Sequence, residues 1–177
     1  YTSVVRAPAL ENLQLVRAKR AFEHDLRSSG LSYTILFPNG YFSDFDEYLD
    51  MARKGRVYVF GDGSFRINPI AGADVAAAAA DALAGDVREL ELGGPEVFTH
   101  EQIAQEAFHA LGSTPHITHI PAWVLKSALI LMRRLTPLRV HGVIEFPLTV
   151  LTHDVLSPTT GHRRLAEHYQ QATTTGP

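Results

Sequence analysis

Lys19 is the first residue in this sequence whose type and setting could do chemistry. It lies in LVRAKRAFEHDL (15–26), four positions before Glu23. Taken alone, that spacing predicts an exposed i, i+4 ion pair contributing about 0.2–0.5 kcal/mol. Nine histidines raise the question of a metal. His116 and His119 stand three apart on a segment that reads as a strand, where positions i and i+3 face opposite ways. With no cysteine and no supporting carboxylate cluster, they predict no metal site. His153 and Asp154, in LTHDVLSP, are placed at the border of a pocket. No G-x-S-x-G elbow is present, which argues against Ser-His-Asp hydrolysis. G-x-G-x-x-G is absent too: the glycines of GDGSF (61–65) precede no helix and read as a hairpin turn, not a phosphate cradle. Tyr33 and Tyr41 sit on core-like segments and read as packed.

The elements that must hold these residues emerge from hydrophobic spacing. Residues 2–5 read as a short strand, 8–29 as a helix ending at Gly30, and SYTILF (32–37) as a strand stopped by Pro38. Strand, helix, strand in one sheet implies a parallel pair with a right-handed crossover. Further on, SDFDEYLDMARKG (43–55) reads as a helix capped by Ser43 and ended by Gly55, and RVYVFGDGSFRI (56–67) as two strands around the Gly-Asp-Gly turn. A helix over 73–84 comes next, in which Asp74 serves as N-cap or first-turn acid, and then the strand RELELGG (88–94). Thr99 and Gln102 form a capping box for a helix to Leu111. HITHIP (116–121) is a short strand and Pro121 opens a helix read as buried. Pro137 and Pro147 interrupt the stretch after it, and RRLAEHYQQA (163–172) is the last helix before a frayed TTTGP tail.

Composition sets the remaining bounds. With 177 residues and 45% hydrophobic content, the chain can bury a substantial core. A net charge of -3 with scattered Lys and Arg gives no footprint for nucleic acid or an anionic membrane surface. The most apolar stretch, AWVLKSALILM (122–132), is interrupted by Lys126 and falls short of the roughly 20 residues a membrane span needs. A cysteine-free chain suits the reducing cytoplasm.

The order of segments carries more information than any single motif. A strand bearing Ser3, a helix bearing Lys19, then SGLSYTILFPNGYF, GRVYVFGDGSFRINPIAGADVA and LGGPEVFTHEQI together resemble the second half of an atypical short-chain dehydrogenase/reductase. The likeness is to the branch of NmrA-like proteins and divinyl chlorophyllide reductases, an epimerase-like group. It implies an α/β fold: the C-terminal part of a Rossmann-type doubly wound parallel sheet (1–42) plus a smaller α+β substrate lobe (43–177) that partly returns to the sheet. It also implies that the glycine-rich nucleotide-binding half is absent from this sequence.

By the same resemblance, Ser3 and Lys19 are the catalytic candidates, with Lys19 on the nicotinamide ribose. Pro38, Asn39 and Gly40 approach the nicotinamide, while Tyr41, Phe42, Arg66 and Asn68, with Pro69, shape the substrate pocket. Leu15 stands where better-known members have their proton-donating Tyr, and Phe37 where relatives often have Arg. The activity implied is NAD(P)-dependent hydride transfer to a small molecule, with NADP or NAD bound through the missing half. The other implied reading is a non-catalytic NAD(P) sensor or assembly subunit, as in NmrA-like regulators and the accessory subunit of respiratory complex I. Strand 2–5 would show an unpaired edge, which predicts pairing with a second copy unless a preceding strand covers it in a longer protein.

Overall fold

The computed structural model describes residues 1–136 and 138–174, and the side chains of all of these but 126, 133 and 138–143. In chain order its strands are β1 (Ile35–Pro38), β2 (Val57–Phe60), β3 (Arg66–Ile67), β4 (Glu89–Leu92), β5 (Phe98–Thr99) and β6 (Ile117–Ile120). The organising unit is parallel. Residues 1–3 lie alongside β1, through Ser3 N to Leu36 O at 2.8 Å and Leu36 N to Tyr1 O at 2.9 Å. On its other side β1 pairs in parallel with β4, from Ile35 opposite Glu89 to Pro38 opposite Leu92. The helix α1 (Gln14–Ser28) crosses between residues 1–3 and β1, as the parallel reading requires. β1 is buried along its whole length.

Two further pairs complete the strands. β2 pairs in parallel with β6, and β3 pairs antiparallel with β5. This corrects the hairpin expected at Gly-Asp-Gly: β2 and β3 do not pair with one another but enter different sheets. Gly61 and Gly63 both adopt positive φ, 66° and 71°, and Asp62 accepts from the Ser64 amide and hydroxyl, so the turn redirects the chain instead of folding it back.

The other helices are α2 (Asp46–Arg53), α3 (Gly72–Ala84), α4 (His100–Ala110), α5 (Ala122–Leu135), α6 (Leu138–Val150) and α7 (Leu165–Thr174). Gly30 and Gly55 take the left-handed conformation past their helix ends, at φ 75° and 86°. The Thr99 capping box forms as read: Thr99 Oγ1 accepts from Gln102 N at 3.1 Å, and Gln102 Oε1 from Thr99 N at 2.8 Å. Ser43 is not a cap. A single 3-10 turn (Phe42–Phe45) precedes α2, and Asp44 accepts from the Tyr41 amide instead, because its carboxylate is the better acceptor at a helix entrance.

Other boundaries shift for physical reasons. Residues 2–5 contribute one bridge, Thr2 to Leu36, because the carbonyls of Val4 and Val5 accept from Arg20 instead of a strand. α1 begins at Gln14, six positions after Pro8, since 7–13 form successive turns that bury Leu10 and Leu13. Pro147 lies inside α6 without ending it. α7 runs on through Thr173 and Thr174; Pro137 and 175–177 lie outside the described residues. α5 is not the buried helix its composition suggests: Leu125 is buried, but Trp123, Ile130, Leu131 and Leu135 are exposed. A helix apolar on all sides reads as buried, whereas here only one stripe of it is covered. No helix among the described residues is long and apolar enough to cross a membrane.

The main core gathers α1 (Leu13, Val16), residues 42–52, β2, α4 (Ile103, Ala107, Phe108) and α7 (Leu165, Tyr169). A smaller core sets Val75 of α3 against Leu36, Ile70 and Leu92 on the parallel sheet. Between the sheet's carboxyl end and the α2, α4 and α6 helices the packing leaves a large opening.

Candidate functional site

That opening is a cavity of about 900 Å³. Its sheet side is built from 2–5 and 38–41, its α1 side from Leu15 and Lys19, its β2 side from Tyr58 and Phe60, and its far wall from Phe45, Tyr48, Met51, His100, Phe146 and Val150. The carboxyl end of parallel strands is where open α/β sheets bind ligands. Ser3, Lys19, Pro38, Asn39, Gly40 and Tyr41, singled out from sequence, all line it.

Their polar groups are not equally available. Ser3 donates its hydroxyl to the buried Glu23 carboxylate. Glu23 is also held by Arg20 at 2.7 Å and Arg27 at 3.4 Å, so the expected Lys19–Glu23 pair does not form. The better-placed guanidinium groups take the carboxylate, and burying it among two cations and a hydroxyl offsets its desolvation. Among the described residues Lys19 has no ion-pair partner, and its ammonium lies 5.6 Å from the Tyr1 ring centroid. It is the half-buried cation of the cavity.

The 38–41 loop is internally committed. Asn39 N donates to Leu92 O at 2.8 Å, Gly40 N to the Asn39 side chain at 2.8 Å, and Tyr41 N to Asp44 at 2.8 Å. Asn39 in turn donates its amide to Asn68 Oδ1 at 2.7 Å and to Val155 O at 2.9 Å. Asn68 donates to Ser157 O at 2.8 Å and accepts from Ser157 N at 2.9 Å. This buried amide pair ties the end of β1 to the segment after α6, so Asn68 supports the cavity from behind.

Phe42 and Arg66 also stand away from the wall. Phe42 is buried, its ring 5.6 Å from that of His168. Arg66 is exposed and gripped by Asp154, with Nε at 3.0 Å and Nη2 at 2.6 Å. The Arg66 guanidinium beside Asp154 holds that carboxyl below its usual value. His153 stacks at 6.1 Å on Phe65 and bonds to Thr149 O at 3.1 Å. Phe37, fully buried, carries the Arg6 guanidinium 3.8 Å above its ring. Asp74 does not cap α3 but accepts from His162 N at 2.8 Å, Arg163 N at 2.9 Å and the Arg163 guanidinium. Burial pushes its carboxyl up, and these bonds outweigh it, leaving the group below the ordinary carboxylate range. Among the described residues no group of His, Asp and Glu could hold a metal ion.

One pair escaped the sequence reading. Tyr48 Oη and His100 Nδ1 are 3.0 Å apart, both buried, with rings stacked 17° from parallel. His100 Nε2 lies 3.3 Å from Val150 O. A carbonyl can only accept, so Nε2 carries the proton, and in the neutral ring Nδ1 accepts from Tyr48. Burial holds the imidazole below its usual value and pushes the Tyr48 phenol well above its own, where the Glu47 charge adds a smaller push. Tyr48 falls within a helical pattern and His100 comes directly after a capping residue, so only their convergence across α2 and α4 marks them.

No family model matches the sequence. Among curated proteins, the chain is 29% identical over 128 residues to the chloroplastic divinyl chlorophyllide a 8-vinyl-reductase of Cucumis sativus, covering 66% of this chain and 30% of that one. It is 28% identical over 123 residues to the mitochondrial NADH dehydrogenase [ubiquinone] 1 alpha subcomplex subunit 9 of Arabidopsis thaliana, covering 64% and 31%. The chain thus spans under a third of the length of these relatives. Among solved structures, an NADPH-dependent quinone oxidoreductase of Escherichia coli complexed with NADPH matches at TM-score 0.70 and 22% identity, over 98% of this chain and 64% of that one. A triphenylmethane reductase of Citrobacter sp. matches at TM-score 0.71 and 19% identity, over 98% and 64%. The structural matches establish a Rossmann-type fold, and in sequence the chain is similar to a divinyl chlorophyllide reductase and to a subunit of NADH dehydrogenase.

Proposed function

We propose that this chain forms the substrate-side part of an NAD(P)-dependent oxidoreductase that reduces a small, largely apolar molecule in the cavity between the sheet and α2, α4 and α6. The observation that carries the reading is the cavity itself: about 900 Å³ at the carboxyl end of the parallel strands, apolar on most sides, with the uncommitted Lys19 ammonium on its wall. A cationic donor without a carboxylate partner fits the ribose and phosphate oxygens of a dinucleotide, and the adjoining apolar walls fit a nicotinamide face and a substrate. Bound reduced nicotinamide supplies a hydride. The protein's own residues do the rest: Lys19 holds the ribose side, Pro38, Asn39 and Gly40 form the rigid floor that orients the ring, and Tyr41 borders the substrate. Ser3, its hydroxyl fixed by Glu23, positions this floor from the neighbouring strand.

The kinship with named reductases supports catalysis over a purely sensory or assembly role. The discriminating experiment is consumption of NADPH or NADH by the full-length protein with a quinone or enone probe. Turnover supports the reading, and dinucleotide binding without consumption replaces it with a sensor. We further infer that the edge of 1–3 not paired with β1 accepts another strand, from a second copy or from the same protein. Sedimentation over a concentration series tests the first arrangement. The cysteine-free sequence supports placement in the reducing cytoplasm.

A further inference from the structure

Leu15 lines the same cavity as Tyr48 and His100 but has no proton to give. We propose that Tyr48 delivers the proton to the substrate in this cavity and that His100 positions and recharges it. The inference rests on the reductase reading for its hydride and on this chain's geometry for its proton.

The geometry serves two protonation states without moving a heavy atom. With His100 neutral, Nε2–H donates to Val150 O and Nδ1 accepts the Tyr48 hydrogen, so that hydrogen is spent on the imidazole. With His100 protonated, Nε2–H still donates to Val150 O. Nδ1–H now donates to Tyr48 Oη, which frees the Tyr48 hydrogen for a ligand oxygen or carbon in the cavity. Atoms and electrons balance. A hydride, with its electron pair, passes from the reduced dinucleotide to the substrate, and a proton passes from Tyr48 Oη to the substrate atom that has gained charge. The O–H bond of Tyr48 is remade with the Nδ1 proton of His100, and His100 then takes a proton from water. The dinucleotide is oxidised and the substrate reduced by two electrons.

The surroundings favour such a relay. The wall beside the pair is apolar, formed by Phe45, Met51, Phe146 and Val150, so a buried hydroxyl–imidazole pair there is costly unless each group is hydrogen-bonded. Both are. The ionisable groups sharing the cavity are Lys19 on α1, Tyr41 and Asp44 on the 38–45 segment, Glu47 on α2 and Tyr58 on β2. From behind, α7 presents Tyr169, whose hydroxyl is spent on Phe45 O at 2.8 Å. Tyr48→Phe keeps the ring and removes only the hydroxyl, and His100→Asn keeps an acceptor near Nδ1 that cannot be protonated.

The test uses the full-length protein with 1,4-naphthoquinone as probe, in two arms. In the first, the probe is titrated without dinucleotide. At a pH low enough to protonate His100, Tyr48→Phe should bind it about 10-fold more weakly while melting as a folded protein, the loss of one buried hydrogen bond. In the second, NADPH consumption is monitored against pH. Tyr48→Phe should lose about 100-fold in kcat, within the range for a general acid. The wild-type rate should fall as pH rises through the His100 value, and His100→Asn should flatten that limb while still binding the probe. Unchanged probe binding and rate in Tyr48→Phe would overturn the assignment, as would a wild type that does not bind the probe. A wild type that binds the probe through Tyr48 yet consumes no NADPH would overturn the reductase reading while leaving Tyr48 as the cavity's hydrogen-bond donor.

Discussion

Removing the carboxylate of Glu23 should loosen the strand-to-helix unit that carries both Ser3 and Lys19. Its side chain is 1% exposed and faces Arg20, 21% exposed, together with Arg27 and the Ser3 hydroxyl. Breaking a buried ion pair by deleting one partner costs about 3–5 kcal/mol. Arg20 here retains Glu11 at 2.7 Å and remains partly solvated, which favours the lower end. Leaving the Ser3 hydroxyl hydrogen without its acceptor adds about 1 kcal/mol. Glu23→Ala is therefore expected to destabilise the protein by about 3–4 kcal/mol, a fall in Tm of about 6–16 °C for a chain of this size. Glu23→Gln retains an acceptor for Ser3 and loses the charge, so about half that cost is expected, since charge-assisted bonds are roughly twice as strong as neutral ones. Ser3→Ala leaves both arginines paired and should cost about 1 kcal/mol. Thermal melts monitored by circular dichroism at neutral pH measure all three. A Glu23→Ala protein melting within a degree or two of the wild type would refute the buried cluster, and so would a Ser3→Ala protein less stable than Glu23→Ala.

Other expectations are more local. Lys19→Met should leave stability within about 0.5 kcal/mol, because no ion pair is lost, while weakening dinucleotide binding in a direct titration. Gly94→Ala should fold poorly or not at all, since a Cβ at that position would land on the Pro69 carbonyl oxygen, and soluble yield with circular dichroism reports it. Asp74 is held below its ordinary value when folded, so its stabilisation is present above the unfolded value of about 3.9 and is lost as pH falls through the folded one. Asp74→Asn should therefore weaken the protein at neutral pH and make acid unfolding less steep. His100, also held low, opposes protonation in the fold, so its contribution is lost as pH falls below the unfolded value of about 6.5, and denaturant midpoints of His100→Asn across that range should show less dependence on pH.

Local signals were legible in the sequence where a single residue decides the outcome. Gly30 and Gly55 end helices because only a residue without Cβ adopts those dihedrals freely, and the Thr99–Gln102 capping box is closed by its own side chains. Choices set by distant partners were not legible. The Gly-Asp-Gly turn looks like a hairpin locally, yet β2 pairs with β6, some sixty residues on, and β3 with β5. Spacing alone assigns Glu23 to Lys19, but the fold brings Ser3, Arg20 and Arg27 to it at shorter range. Of the residues singled out in the sequence, Ser3, Lys19 and 38–41 line the cavity, while Asn68 holds it from behind and Phe42 turns into the core. Tyr48 and His100 carry no mark in the sequence, since nothing in a helical pattern tells a buried Tyr that packs from one that meets an imidazole across two helices.

The central claim, that this cavity is the reducing end of an NAD(P)-dependent enzyme, is tested most directly by mixing the full-length protein with NADPH and 1,4-naphthoquinone and recording the near-ultraviolet absorbance of the dinucleotide. Steady consumption is expected, weakened by Lys19→Met through KM and by Tyr48→Phe through kcat. Tight NADPH binding with no consumption, or consumption indifferent to both substitutions, would contradict it.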